Sequence, residues 1–103
     1  MKELVKGTTR TRSQKKIHFE FDKNYKVILY NDNVTPFEYV ILVFMFVFKK
    51  NAAEAFEITQ NIHHTGSGVA GIYKKEEAYE KIDQIDALNK EFHYELHATV
   101  EEE

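Results

Sequence analysis

The chain has 103 residues, 43% hydrophobic and 30% charged, with four Gly, one Pro and no Cys, which is one small domain's worth of sequence with an ordinary globular balance. The absence of cysteine excludes disulfide-stapled mini-folds, thiolate zinc fingers and thiol enzymes, so eight Phe, six Tyr and the aliphatic residues must supply the core. The net charge of −3 hides an asymmetry: residues 1–16 hold six basic side chains (Lys2, Lys6, Arg10, Arg12, Lys15, Lys16) against Glu3, whereas the rest of the chain holds eight basic and sixteen acidic ones.

Residues 1–16 are polar and lack any apolar period, which predicts a flexible basic N-terminal extension, with residues 17–103 as the core domain. No apolar stretch follows the basic start, so no secretory signal is expected and the chain reads as cytoplasmic. The acidic body repels phosphates, and six basic residues without aromatic interleaving make no specific nucleic-acid surface; nucleic acid is not an expected partner.

Ile17, Phe19 and Phe21 alternate with His18 and Glu20 as in a strand, and the denser run Lys26–Tyr30 is a stronger strand signal. Asn31-Asp32-Asn33 is a turn cluster. Thr35-Pro36-Phe37-Glu38 then reads as a helix start, with Thr35 as N-cap, Pro36 at the first helical position and Glu38 completing a capping box. That start assigns the continuously apolar run Tyr39–Phe48 to a helix packed nearly all round, too short for the roughly 20 residues that cross a bilayer.

Asn51-Ala52-Ala53-Glu54 is a second N-cap signal, and Ala52, Ala55, Phe56, Ile58 and Ile62 form a helical stripe ending near Gly66. Gly66-Ser67-Gly68 reads as a loop and Val69–Tyr73 as a short strand. Lys75–Asn89 reads as a third helix, its inner face Ala78, Ile82, Ile85 and Leu88 or Asn89; Leu96, Ala98 and Val100 alternate as a last strand. The order β-α-α-β-α-β predicts an α+β fold: a three-stranded antiparallel sheet, with a possible extra N-terminal strand, packed against three helices.

Several chemistries compete for the polar residues. The glycines 66, 68 and 71 precede a strand and no Lys-Ser/Thr follows them, so they are no phosphate loop. His63 and His64, neighbours on a helix, point about 100° apart and lack an i, i+4 ligand, so no metal or other cofactor is expected. No serine or cysteine sits where a nucleophile is activated, and Asp32 with His63, both at element ends, could form an acid–base pair for an enzyme. A non-catalytic use also exists: a peptide's free α-amino group needs acceptors, which the Asp32 carboxylate, the Asn31 amide oxygen and an imidazole nitrogen of His63 can supply. Plain turn chemistry at Asn31–Asn33, and a plain helix end at His63–Gly66, account for the same residues.

The stretch Tyr25–Val40, with its Asn31-Asp32 turn and Thr35-Pro36 helix start, followed by Ile62-His63-His64-Thr65-Gly66-Ser67-Gly68-Val69-Ala70-Gly71-Ile72-Tyr73, closely resembles the ClpS adaptor family. The resemblance implies a non-enzymatic adaptor that binds proteins beginning with Leu, Phe, Tyr or Trp and delivers them to a ClpA-type AAA+ unfoldase for degradation by ClpP. By the same resemblance Asn31, Asp32 and His63 would hold the α-amino group, Asn33 and Thr35 would support the site, and Phe37, Val40, Thr59 and Ile62 would line a side-chain pocket, with His97 beside them. Glu76 and Lys81 match unfoldase-docking positions. The sequence departs from the family's usual pattern with Asn33 for an acid, Phe37 for a methionine, and polar Thr59 and His97 at apolar positions, so Tyr is expected to lose little relative to Phe. The alternative reading is a non-catalytic interaction scaffold, without a peptide pocket, resembling the C-terminal domain of the ribosomal stalk protein.

Overall fold

A computed structural model of the chain describes residues 23–103; the basic extension 1–16 and the possible strand Ile17–Phe21 lie outside the described residues. The elements run β1 (Tyr25–Tyr30), α1 (Phe37–Phe46), α2 (Ala52–Thr65), β2 (Ser67–Tyr73), α3 (Lys75–Phe92) and β3 (Ala98–Glu102), which is the predicted α+β order with a three-stranded antiparallel sheet. β1 is the middle strand, flanked by β2 and β3. Its alternation sends Val27 and Leu29 fully inside, into a core shared with Val43 and Phe44 of α1, Ala55 and Ile62 of α2, and Ala78 and Ile85 of α3.

Boundaries differ from the sequence reading where long-range partners decide them. Ser67 and Gly68, expected in a loop, belong to β2 because Tyr30 and Leu29 pair with them. α3 runs three residues beyond Asn89, to Phe92, before His93 closes it in a left-handed conformation. α1 stops two residues before Phe48 and is not packed all round, since Phe46 is 62% exposed. Of the expected α2 stripe, Ala55 and Ile62 are buried and Ile58 half-buried, while Ala52 and Phe56 face outward and Thr59 takes a buried place.

Two glycines lock α2 to the sheet. Gly66 ends the helix at φ 99°, a left-handed backbone that side chains disfavour, and returns its N–H to the Ile62 carbonyl at 2.8 Å. At Gly68 a Cβ would stand 2.8 Å from Ile62 Cγ1, so only glycine lets the helix lie this close to β2. Asn89 provides a polar tie: its side chain accepts from the Tyr39 hydroxyl at 2.7 Å and donates to the Leu96 carbonyl at 3.0 Å, joining α3, α1 and the approach to β3. Among the described residues no helix is long and apolar enough to cross a membrane.

Candidate functional site

The end of β1, the start of α1 and the last turns of α2 enclose a cavity of about 220 Å³. Its position follows from one backbone hydrogen bond, Asn31 N–H to Gly66 carbonyl at 2.9 Å, which fastens the loop after β1 to the end of α2. The residue before Gly66's helix end and those after Tyr30 are thereby brought to one rim. Asn31, Asp32, Asn33 and Thr35 line the cavity from the loop, Phe37 and Val40 from α1, and Thr59, Ile62 and His63 from α2. The i, i+3, i+4 spacing of the α2 trio puts all three on one face.

The helix start is built differently from the Thr35–Glu38 capping box that the sequence suggests. Pro36 occupies the N-cap position, in extended conformation, and no side chain caps it. The Thr35 hydroxyl is turned the other way, donating to Asp32 Oδ2 at 2.8 Å, while Asp32 Oδ1 accepts the N–H groups of Thr35 at 2.6 Å and Val34 at 2.8 Å. An Asx-type turn wins because one carboxylate satisfies three donors of a short exposed loop, where a Thr35 cap would satisfy one.

Burial pushes the Asp32 carboxyl up, but its hydrogen bonds from Thr35 and Val34 outweigh that and hold it below the ordinary value of 3.8. Asp32 is therefore a fixed negative charge at the cavity. A carboxylate offers about four acceptor sites; three are taken, two of them on Oδ1, so Oδ2 retains capacity for one more donor.

Phe37 is wedged against α2, with its ring edge-on to Phe56 at 5.6 Å and to His63 at 6.3 Å between centroids. The walls are otherwise Leu29, Val40, Ile62 and Leu96, so the site combines an apolar hollow with a polar rim of Asn31, Asp32 and His63. Chemically such a hollow takes one apolar or aromatic side chain attached to a cationic group.

His97 does not line the cavity. It is exposed and lies against the Tyr30 ring at 5.1 Å, while its neighbour Leu96, 5% exposed, turns inward instead. Leu29, Tyr30 and Leu96 complete the lining unannounced by the sequence reading. The alternation Leu96-x-Ala98 marks Leu96 as inward-facing, but nothing local says that it reaches this cavity.

Glu76 and Lys81 lie on α3, outside the cavity lining. Glu76 is exposed in the first turn, and Lys81 donates to the Val47 carbonyl at 3.1 Å with its ammonium 5.4 Å from the Tyr73 ring centroid. Lys81 thus satisfies an end carbonyl of α1, a structural duty beside any other. Among the described residues no group of three or more His, Asp or Glu side chains is placed to hold a metal ion.

Comparisons with known proteins place the chain in a family. A family model described as ATP-dependent Clp protease adaptor protein ClpS matches residues 20–99. An ATP-dependent Clp protease adapter protein ClpS from Campylobacter jejuni is 41% identical over 95 residues, 92% of this chain and 97% of the relative. The ClpS of Bdellovibrio bacteriovorus is 42% identical over 81 residues, 79% of this chain and 71% of the relative. In three dimensions the chain superposes on Agrobacterium tumefaciens ClpS2, solved bound to L-phenylalaninamide, with a TM-score of 0.74 and 33% identity, covering 79% of this chain and 98% of that one. Matched over most of its length in sequence and in fold, the chain belongs to the ClpS family of Clp protease adaptors.

Proposed function

We propose that the cavity binds the first residue of substrate proteins, holding a free α-amino group at Asn31, Asp32 and His63 and an apolar or aromatic side chain (Leu, Phe, Tyr or Trp) in the hollow, and that the chain delivers these proteins to a ClpA-type AAA+ unfoldase for degradation by ClpP. The observation that carries this reading is the convergence of those three polar side chains on the rim of one apolar cavity. An interaction scaffold of the ribosomal-stalk kind has no use for such a hollow. Further support comes from ClpS2, whose bound L-phenylalaninamide has a benzyl side chain beside a free amine.

The energetics are consistent. Burying a Leu or Phe side chain contributes roughly 1.5 to 3 kcal/mol, and a fixed carboxylate with one unused acceptor site favours an ammonium over a neutral cap. In this reading Asn33 and Thr35 support the loop, Phe37, Val40, Thr59 and Ile62 select the side chain, and Glu76 and Lys81 face the unfoldase. The basic segment 1–16 serves delivery, residues 17–103 form the binding domain, and the adaptor works in the cytoplasm without catalysing a reaction.

The test is a fluorescence anisotropy titration with two peptides that differ only in acetylation of an N-terminal Phe. The free amine is expected to bind at least tenfold more tightly, a gap of about 1.4 kcal/mol. Equal affinities overturn the reading.

A further inference from the structure

We infer that Thr59 makes this cavity prefer an N-terminal tyrosine to a phenylalanine. The inference rests on the reading of the cavity as an N-terminal-residue site and adds to it which side chain the floor selects.

Thr59 lines the cavity, is 3% exposed, and its Oγ1 is buried with no hydrogen-bond partner. The other three threonines among the described residues are all satisfied. Thr35 donates to Asp32 at 2.8 Å, Thr99 pairs with the Tyr30 hydroxyl at 3.0 Å, and Thr65, on the same helix as Thr59, donates to the Asn61 carbonyl at 2.9 Å. A helical threonine has its i−4 carbonyl within reach as the default acceptor. Thr65 uses that default and Thr59 does not, although burial makes an orphan hydroxyl costly.

Position and size fit a phenol. Thr59 precedes His63 by four residues on the same face of α2, about 6 Å along the helix axis. A tyrosine's hydroxyl oxygen lies roughly 6.5 Å from its own Cα on ordinary bond lengths. An amino group held at the His63 rim therefore sends a phenol oxygen toward the level of Thr59. Cavities of about 150 Å³ accept benzene, so about 220 Å³ admits the ring with room for its oxygen. Both hydroxyls donate or accept, so one hydrogen bond forms whichever supplies the proton. Phenylalanine fills the same space and leaves Thr59 unpaired. His97, against Tyr30 outside the lining, takes no part.

The experiment titrates the full chain, Thr59→Val and Thr59→Ser with two peptides that begin with Tyr or Phe and are otherwise identical, each with a free and an acetylated amine. The wild type is expected to bind the free Tyr peptide about fivefold more tightly than the Phe peptide. Thr59→Ser keeps that preference, and Thr59→Val, which offers a methyl group to the phenol, abolishes or reverses it. A Tyr-to-Phe ratio unchanged in Thr59→Val, or a wild type that binds Phe more tightly, overturns the inference while amine-dependent binding stands. Binding indifferent to acetylation overturns the underlying reading and this inference with it.

Discussion

The two helices that meet at Lys49 and Lys50 start in opposite ways. α2 opens with a closed capping box: Glu54 N–H donates to Asn51 Oδ1 at 2.8 Å and Asn51 N–H to Glu54 Oε1 at 3.1 Å, so each side chain bonds the other's backbone. α1 opens on an uncapped Pro36, and the acid that organises its approach, Asp32, lies upstream beside a cavity with acceptor capacity left over. Residues of the same turn-forming type thus make a helix boundary in one place and the rim of a cavity in the other. What separates them is whether the side chains' unused hydrogen-bonding capacity faces solvent, as at Asn51 and Glu54, or a hollow, as at Asp32.

Substitution at the two starts is the sharpest way to break this contrast. Asp32→Ala removes the proposed partner of the ammonium together with the loop's acceptor, and free-amine peptide affinity is expected to fall by about 2 kcal/mol or more, some 30-fold, in anisotropy titrations. The acetylated twin, which has no charge to lose, changes far less. Retention of free-amine affinity within threefold would reduce Asp32 to a loop residue like Asn51.

Asn51→Ala is expected to do the reverse. Loss of the cap lowers stability by about 1 kcal/mol, read as a fall of about 4–8 °C in Tm for a domain of this size, while peptide affinity at 25 °C stays at the wild-type value. A marked affinity loss there would mean that the two helix starts are coupled.

Acid titration gives the smallest and most specific signal. Because the folded state holds the Asp32 carboxyl below 3.8, Asp32 contributes stability that is present above the unfolded value and lost as pH falls through the folded one. The urea midpoint of the wild type is therefore expected to approach that of Asp32→Asn as pH drops from 6 to 2.5. A constant difference across that range would assign the loop's stability to hydrogen bonds that do not depend on ionisation.

The floor of the cavity repeats the contrast in a threonine pair. Thr65 and Thr59 stand on one helix, one bonded to the carbonyl four residues before it and the other bonded to nothing. On the proposed reading the partly satisfied, charged rim addresses the amine and the unsatisfied, neutral Thr59 addresses the tip of the side chain.

Local pattern alone determined the element order, the Asn51–Glu54 cap and the Gly66 stop, because each depends on hydrogen bonds or periodicity within a few positions. The family motifs also made Asn31, Asp32 and His63 legible as one group, although all of α1 and most of α2 lie between them in the chain. Tertiary structure alone decided that Ser67 and Gly68 join β2, that Leu96 enters the hollow where His97 does not, and that the hydroxyl of Thr59 is left without a partner. Each of these depends on what a distant element offers at that position, and short-range sequence carries no record of it.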